Sequence, residues 1–214
     1  MLKVWGRRSS ANVQKVMWLV GELEPPHEHI PAGGPYGKTN EPKFRAMNPN
    51  GLVPVIEDDG LVMWESNAIL RYLAAQYGKD KFWPADPKAR APIDQWEDWA
   101  GTTFQPNIIG LFVNYWRTPE NQRNPNVIRN LQQRTEANLR LLDAELAKRP
   151  YIAGNELSLA DIASGVHMYR YYTMGTPYPA LPNVEAWYKR LSERPAYRDH
   201  VMISYEELRG KLSF

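Results

Sequence analysis

Residues 51–66 read GLVPVIEDDGLVMWES, and this stretch determines the fold that the sequence predicts. Two apolar runs, Leu52–Ile56 and Leu61–Trp64, flank the acidic tetrapeptide EDDG at positions 57–60. Asp-Gly between apolar runs is a strong signal for a hairpin, so the two runs are predicted to pair as antiparallel strands. Apolar residues at helical spacing over Ser66–Tyr77 then predict a helix directly after the hairpin.

The segment before the hairpin alternates strand and helix signals. Leu2–Trp5 is a short apolar run that indicates a buried strand, whereas apolar residues recur at helical spacing over Ala11–Leu23. His27–Ile30 predicts a second strand, and Pro42–Met47 predicts a short helix with proline in its first turn. The predicted order of elements in residues 1–80 is therefore β-α-β-α-β-β-α.

Strand signals disappear after residue 80, which divides the chain into two predicted domains. Residues 81–90 are charged and contain prolines, as is typical of a linker. Residues 91–214 show only helical patterns, over Ile93–Trp116, Val127–Lys148, Leu159–Tyr172, Val184–Arg194 and Ala196–Leu208. The expected fold class is a two-domain chain in which an α+β domain over residues 1–80 precedes an all-α helical bundle.

Composition excludes several classes of function. The 214 residues include 26 Lys and Arg against 24 Asp and Glu, a net charge of +2, so a basic surface for nucleic acid is not indicated. No apolar run approaches the length of a membrane span, and the first residues lack the apolar region of a signal peptide. We therefore expect a cytoplasmic protein without nucleic-acid or membrane partners.

The chain contains no cysteine, which excludes disulfides, cysteine-ligated metals and a cysteine nucleophile. His27 and His29 share one face of a predicted strand but have no third ligand nearby in sequence, so no metal site is expected. Any thiol chemistry must therefore use a thiol that a ligand supplies.

A first candidate site lies where the first strand meets the first helix, in GRRSSAN at residues 6–12. The hydroxyl groups of Ser9 and Ser10 lie there beside unpaired backbone N–H groups and the positive end of the helix dipole. This environment favours an anion and would stabilise a thiolate in particular. Plain N-capping of the helix by Ser9 or Ser10 is the alternative interpretation.

Two further segments could contribute to the same site. We call these two segments and the segment around Ser10 corners, because the chain turns at each of them. If the peptide bond between Val53 and Pro54 is cis, Val53 exposes its backbone N–H and C=O groups to an extended peptide; an ordinary edge-strand proline is the alternative. Glu65 ends a strand and Ser66 begins a helix, so a carboxylate, a hydroxyl and free N–H groups converge to hold an amino acid head group. A helix cap beside a solvated acid is the alternative at this corner.

Together the three corners describe a site for a small peptide that carries a thiol and an α-amino-acid end. The segment GNELSLAD at residues 154–161 adds a predicted capping box between Ser158 and Asp161. With this segment, the sequence resembles the cytosolic glutathione S-transferase superfamily over nearly its whole length. The pattern around Ser10 and Asn12 resembles the serine-type classes of bacteria and plants.

The resemblance implies a fold, an activity and an assembly. The first domain is expected to be thioredoxin-like and to bind glutathione as co-substrate, and the helical domain is expected to form the pocket for an electrophile. The expected activity is transfer of an alkyl or aryl group to glutathione, with a role in detoxification. A homodimer and the absence of a metal cofactor are also implied.

The resemblance assigns roles around the sulfur of glutathione. It places the activating hydroxyl at Ser10, with Asn12 as a second hydrogen-bond donor and Ser9 as the rival for the role of Ser10. Val53, next to Pro54, is expected to pair with the cysteinyl backbone of glutathione.

The two ends of glutathione complete the expected site. By resemblance, Glu65 and Ser66 hold the γ-glutamyl end. Lys38 and Thr39 lie in the loop that contacts the glycine carboxylate in relatives. Leu52 stands where relatives often carry a polar or basic contact, which is a departure from the family pattern.

Aromatic side chains of the helical domain are candidates for the pocket of the second substrate. They are Phe112, Tyr115, Trp116 and Tyr169, and core packing is the alternative interpretation. The expected reaction is attack of the glutathione thiolate on a small apolar electrophile. Two other functions remain open at this point: a non-catalytic binding or carrier module of the same fold, and glutathione-dependent peroxide reduction.

Overall fold

The computed structural model describes residues 1–212, and its only sheet within that range lies in the first domain. The strands are β1 (Leu2–Trp5), β2 (His27–Ile30), β3 (Val55–Asp58) and β4 (Leu61–Trp64). Their order across the sheet is β2-β1-β3-β4. β1 pairs with β2 in parallel and with β3 antiparallel, and β3 and β4 form the predicted hairpin.

Three helices complete the first domain. They are α1 (Ala11–Leu23), α2 (Pro42–Met47) and α3 (Ser66–Tyr77), all with the predicted bounds. The apolar stripe of α1 is buried, and this helix packs against β1 and α3. The resulting order βαβαββα confirms the expected thioredoxin-like fold.

The hairpin differs from the prediction at its turn. The strand expected over Leu52–Ile56 instead begins at Val55 and ends at Asp58, so only residues 59–60 form the turn. Asp58 belongs to the strand and is buried because its carboxylate accepts hydrogen bonds from the hydroxyl groups of Tyr72 at 2.8 Å and Tyr77 at 2.6 Å. These partners lie on α3, so the sequence of the hairpin alone could not place its strand ends.

The remaining described chain is helical, which confirms the expected all-α second domain. Its helices are α4 (Pro87–Trp99), α5 (Gln105–Phe112), α6 (Pro125–Leu146), α7 (Leu159–Gly165), α8 (Met168–Thr173), α9 (Pro182–Ser192) and α10 (Pro195–His200). Wider helical turns over residues 100–104 and 113–117 follow α4 and α5. Within residues 1–212, none of the helices combines the length and the apolar character needed to cross a membrane.

Several helix bounds differ from expectation. The helix predicted over Ala196–Leu208 is the much shorter α10, which ends at His200, and the single helix predicted over Ile93–Trp116 is divided between α4 and α5 by the wider turns at residues 100–104. Helices α6 and α9 each begin and end two residues earlier than predicted. Helix α4 begins at Pro87, inside the predicted linker, because the Asp86 side chain accepts a hydrogen bond from the backbone N–H of Ala89 at 2.9 Å and caps the helix. The helix expected over Leu159–Tyr172 is divided into α7 and α8, since α7 ends at Gly165.

Helix α1 is clamped between the sheet and the helical domain. The ring of Trp18 packs edge-on against Tyr197 of α10, with ring centroids 4.7 Å apart. Glu22 accepts two hydrogen bonds from the guanidinium of Arg194, each of 2.6 Å. These contacts hold the C-terminal half of α1 against the helical domain.

Candidate active site

Ser10 occupies the N-cap position of α1 but does not cap it. Its backbone is extended, with φ −83° and ψ 124°, and its side chain makes no capping hydrogen bond. The residue lines a cavity of about 150 Å³ between the first domain and the helical domain. Side-chain capping of α1 is therefore absent at Ser10, and the residue lines a cavity at the positive end of a helix.

Ser9 lines the same cavity in a different setting. It is 4% exposed, and its hydroxyl oxygen is buried without a hydrogen-bond partner among the described residues. Its carbonyl oxygen accepts a hydrogen bond from Nη2 of Arg170 at 2.8 Å. The backbone of Ser9 is thus held by the helical domain, whereas Ser10 is half-buried at the helix end.

Asn12 connects two of the three predicted corners. Its side-chain oxygen accepts a hydrogen bond from the hydroxyl of Ser66 at 3.4 Å, and Asn12 also lines the cavity beside Ser10. In this orientation the amide nitrogen of Asn12 is the end that can donate to a ligand. The first turns of α1 and α3 are consequently neighbours.

Glu65 has an unusual backbone conformation immediately before α3. Its φ of 73° and ψ of 108° lie in a region that residues other than glycine rarely adopt, and its side chain makes no capping bond. Such a conformation is unfavourable by about 1–3 kcal/mol and is concentrated at functional sites. The carboxylate of Glu65 is exposed beside the buried Ser66 at the start of α3.

The peptide bond between Val53 and Pro54 is cis, as the second corner requires. Val53 precedes the sheet ladder, because the first paired residue of β3 is Val55, opposite Trp5. The backbone of Val53 therefore lies beyond the strand pairing, near the C-terminal end of β1.

The loop residues expected at the glycine end occupy a separate shallow region. Lys38 lines a cavity of about 220 Å³, and its ammonium lies 5.8 Å from the ring centroid of Trp5. The ammonium of Lys43, which the sequence did not single out, lies 5.7 Å from the same ring. Thr39 is half-buried next to Lys38, and Leu52 is 65% exposed.

The four aromatic candidates are distributed over three places. Phe112 lines the cavity beside Ser10. Trp116 and Tyr169 line a neighbouring cavity of about 250 Å³. Tyr115 lines neither, and its hydroxyl donates a hydrogen bond to the carbonyl oxygen of Gly175 at 3.2 Å.

Tyr205, which sequence reasoning missed, forms the wall between these two cavities. Its ring packs edge-on against Phe112, Trp116 and Tyr169, with centroid distances of 5.6, 5.0 and 6.1 Å. The guanidinium of Arg170 lies 5.8 Å from the Tyr205 ring. A lone tyrosine near the end of the last predicted helix carried no signal for this position.

Three arginines missed by sequence reasoning also line the cavity beside Ser10: Arg7, Arg117 and Arg170. Burial lowers the pKa of Arg170 to about 10, and the charges of Arg7 and Arg117 act in the same direction. Arg7 adjoins the serines in sequence, but Arg117 and Arg170 are isolated positions on distant helical segments. No spacing in the sequence could have predicted that the three would meet.

A buried polar network connects α1, α3 and α5 next to the site. Nζ of Lys15 on α1 donates hydrogen bonds to Asn67 Oδ1 at 3.2 Å and to Gln105 Oε1 at 2.6 Å. Burial lowers the pKa of Lys15 to about 8. Asn67 in turn donates to the carbonyl oxygen of Glu97 at 3.1 Å. Because Gln105 also lines the cavity, this network ties α1, α3 and the helical domain together around it.

Within residues 1–212, no group of three histidine, cysteine, aspartate or glutamate side chains is arranged to hold a metal ion. The site therefore consists of hydroxyl groups, amides and guanidinium groups around two helix N-termini. These features define a two-domain protein of the thioredoxin-like type, with its candidate site at the junction of the domains.

Comparison with known proteins identifies the family. The family model "Glutathione S-transferase, N-terminal domain" matches residues 1–75, and the model "Glutathione S-transferase, C-terminal domain" matches residues 104–195. Glutathione S-transferase GstB of Escherichia coli strain K12 is 43% identical over 205 residues, which cover 95% of this chain and 99% of that protein. Glutathione S-transferase F13 of Arabidopsis thaliana is 32% identical and covers 92% and 93% of the two chains. The chain belongs to the glutathione S-transferase family and is a transferase.

Solved structures agree with this assignment. The theta class glutathione S-transferase from Xanthomonas axonopodis pv. citri, determined with glutathione bound, superposes with a TM-score of 0.91 at 41% identity. The match covers 95% of this chain and 98% of that one. Glutathione transferase F7 from Populus trichocarpa superposes with a TM-score of 0.84 at 27% identity, covering 95% and 100%.

Proposed function

We propose that the protein activates the thiol of glutathione at Ser10 and conjugates it to a small electrophile. The observation that carries this proposal is the position of Ser10, which lines a cavity at the N-terminus of α1 and whose hydroxyl is not used to cap that helix. A relative solved with glutathione bound shares this fold over almost the whole chain.

Glutathione lies along the edge of the first domain in this proposal. Val53 pairs with the cysteinyl backbone, since its peptide groups lie beyond the ladder of β3. Glu65 receives the ammonium of the γ-glutamyl end, and the start of α3 at Ser66 receives its carboxylate.

The glycine end points toward the loop after β2. Lys38 and Thr39 lie there, and Leu52 and Pro54 flank Val53 in the sequence. The ammonium of Lys38 supplies a positive charge for the glycine carboxylate.

The chemistry follows from where the sulfur then lies. Ser10 donates a hydrogen bond to the sulfur, Asn12 supplies a second donor, and the dipole of α1 stabilises the negative charge, so the thiol pKa falls and its proton passes to solvent. The thiolate attacks the electrophilic carbon, a carbon–sulfur bond forms, and the leaving group departs with its electron pair. Ser10 acts as a donor and takes up no proton.

The helical domain supplies the apolar side of the electrophile pocket. Phe112, Ile109 and Val113 line the cavity beside Ser10. Trp116 and Tyr169 extend this aromatic surface on the other side of the wall formed by Tyr205. Tyr115 lines neither cavity, and we propose only a packing role for it.

Kinetics of Ser10→Ala test the proposed role of the hydroxyl. We expect kcat/KM for an aryl halide with glutathione to fall by about 10²–10³, as for the loss of a donor to a developing anion. The rate of the variant should also begin to rise at a higher pH than that of the wild type, because the pKa of the thiol is higher without the Ser10 hydroxyl. Ser9→Ala is the matched control and should retain the wild-type pH profile. The same profile for wild type and Ser10→Ala would refute the assignment.

We also propose that the protein acts as a cytoplasmic homodimer. β4 is an edge strand of the sheet within the described chain, and Leu61, Val62 and Trp64 on it are exposed. Apolar side chains on an exposed edge favour association with a second surface.

A further inference from the structure

Gln105 is the uncharged polar side chain that the helical domain contributes to the described lining of the cavity beside Ser10. The other described lining residues of that domain are apolar residues and arginines. Gln105 is half-buried and is the first residue of α5. A primary amide accepts through its oxygen and donates through its nitrogen, so its role toward a ligand depends on which of the two atoms the protein already uses.

Lys15 uses the oxygen. Nζ of Lys15, a residue that is 1% exposed, donates to Gln105 Oε1 at 2.6 Å and to Asn67 Oδ1 at 3.2 Å. Burial lowers the pKa of Lys15 to about 8, whereas the charges of Glu97 and Glu65 raise it, so the ammonium form predominates at neutral pH. An ammonium group has donors and no acceptor, so the atom of Gln105 that faces it must be the oxygen. Lys15 thereby fixes the orientation of the Gln105 amide.

The amide nitrogen of Gln105 is left for a ligand. It donates no hydrogen bond to another residue of the described chain, 1–212. Because the oxygen is held by Lys15 and the residue lines the cavity, the N–H groups are the part of Gln105 that can bind a molecule there. Gln105 therefore offers that molecule a hydrogen-bond donor and not an acceptor.

Gln105 lies on the side of the cavity that we assign to the electrophile. Ser10 and Asn12, where we place the sulfur, belong to the first domain. Gln105, Ile109 and Phe112 follow one another at spacings of about one helical turn along α5, and all three line the cavity, so they share one face of that helix. A molecule that packs its apolar body on Ile109 and Phe112 can reach the N–H groups of Gln105 at the start of the helix.

We propose that Gln105, oriented by Lys15, donates a hydrogen bond to an oxygen of the second substrate that becomes negatively charged during the reaction. The corresponding class of substrate is an electrophile whose reactive carbon is conjugated to an acceptor oxygen, as in nitroarenes and α,β-unsaturated carbonyl compounds. Gln105 touches the substrate, and Lys15 is a positioning residue. This inference rests on the proposed function and adds the substrate class.

The substitution on a chloronitroarene has two stages. The electron pair of the thiolate forms a bond to the carbon that carries chlorine, and the displaced π electrons of the ring pass to a nitro oxygen. Gln105 donates to that oxygen while it carries the charge, as a donor in an oxyanion hole does. The electrons then return to the ring, the carbon–chlorine bond breaks, and chloride leaves with the bonding pair. Gln105 keeps its protons throughout.

Two chlorides distinguish this role from a general one: 1-chloro-2,4-dinitrobenzene and benzyl chloride, which has no oxygen to take up charge. Gln105→Met removes the donor with little change of volume. At saturating glutathione, kcat/KM for chlorodinitrobenzene should fall about 10- to 100-fold, as for the loss of a hydrogen bond to a charged group, and that for benzyl chloride should change by less than about twofold.

Asn107→Leu is the matched control. Asn107 also lies on α5 and is half-buried, but it does not line the cavity, and its amide nitrogen donates to Thr103 O and Asn138 Oδ1, each at 2.9 Å. Both rates should stay at their wild-type values in this variant.

A double-mutant cycle tests the role of Lys15. Lys15→Met releases the Gln105 amide and should lower kcat/KM for chlorodinitrobenzene by a similar factor. The double variant with Gln105→Met should lose no more than either single variant, because both residues act through one hydrogen bond to the substrate. It also leaves no ammonium short of an acceptor, so it provides the test if Gln105→Met does not fold. Losses that multiply in the double variant would overturn the role of Lys15.

Calorimetric titration with glutathione and the pKa of its bound thiol separate this inference from the proposed function. Unchanged glutathione affinity and thiol pKa in Gln105→Met, with a loss of rate confined to chlorodinitrobenzene, would support the inference. The same loss would support it if the wild type conjugates chlorodinitrobenzene alone.

Three results would overturn the inference and leave the proposed function intact. They are an unchanged rate or equal losses for the two chlorides in Gln105→Met, a raised thiol pKa in that variant, and a wild type that conjugates benzyl chloride alone. A wild type that binds no glutathione, or that conjugates neither chloride, would refute the proposed function and this inference with it.

Discussion

Glu97 is a buried acid whose pKa is raised by its surroundings in the fold. Its side chain is fully buried, and burial raises its pKa to about 7. Arg71, which donates to it at 2.9 Å, lowers this pKa, as does Lys15, whereas Asp94 raises it. Nearby cations therefore offset only part of the unfavourable burial of the charge.

The raised pKa of Glu97 predicts a specific pH dependence of stability. A carboxyl group with a higher pKa in the folded state stabilises the fold below its unfolded pKa, and that contribution is lost as pH rises through the folded value. Between pH 4.5 and about pH 7, the free energy of unfolding should fall by an amount on the order of 3 kcal/mol. Glu97→Gln resembles the protonated acid, so its free energy of unfolding should exceed that of the wild type increasingly over this range.

Urea unfolding of both proteins at several pH values measures this difference. Asp98→Asn is the control, because it removes an exposed carboxylate that also pairs with Arg71. A difference between wild type and Glu97→Gln that stays constant from pH 4.5 to 7.5 would show that Glu97 is ionised throughout.

At the scale of elements, one carboxylate organises the start of α7. Asp161 is buried and accepts hydrogen bonds from the backbone N–H groups of Ile152 and Ser158, from the Ser158 hydroxyl, and from Nε1 of Trp187, each at 2.9 Å. The predicted capping box is therefore extended to a loop and to α9. Removing this acceptor leaves several buried donors unsatisfied.

We expect Asp161→Ala to lower the free energy of unfolding by roughly 3 kcal/mol or more. Asp143→Ala is a matched comparison, because Asp143 is half-buried and accepts from the N–H groups of Asn183 and Val184 at the start of α9. Loss of that cap should lower the free energy of unfolding by only about 1 kcal/mol. Similar losses for the two variants in urea unfolding would argue against a special role for Asp161.

Local signals predicted those elements whose bounds depend on neighbouring residues in sequence. Apolar periodicity placed α1 and α3 correctly, and prolines placed the start of α2. The bounds of β3 were wrong, because Asp58 lies in that strand with its carboxylate hydrogen-bonded to tyrosines on α3, whereas β4 has the predicted bounds. The same limitation applies to the site: the serine, proline and glutamate corners were visible in sequence, whereas the three arginines meet only through tertiary packing.

At the scale of the whole molecule, the exposed edge of the sheet predicts how two copies associate. Val62 on β4 and Val127 on α6 are both 40% exposed, so they are matched sites for adding a charge. Val62→Lys should convert a dimer to a monomer in sedimentation, since an unpaired charge would be buried at the interface. Val127→Lys should leave the mass unchanged. A wild-type monomer, or a dimer that tolerates Val62→Lys, would contradict the proposed edge.

The arrangement of the two domains forms the candidate site. The first domain presents the N-termini of α1 and α3, and the helical domain closes a small cavity over the first of them with Phe112 and Arg170. Neither half forms this cavity alone, which is why the position of α1 between the domains matters for function.

The acidity of the glutathione thiol in the complex tests the central claim most directly. The ultraviolet absorbance of the bound thiolate, followed across pH, should give a thiol pKa near 7 for the wild type, as for thiols at helix N-termini. Ser10→Ala should raise this pKa by about one unit or more, whereas Ser9→Ala should leave it unchanged. A bound thiol that titrates identically in the wild type and in Ser10→Ala would contradict the account.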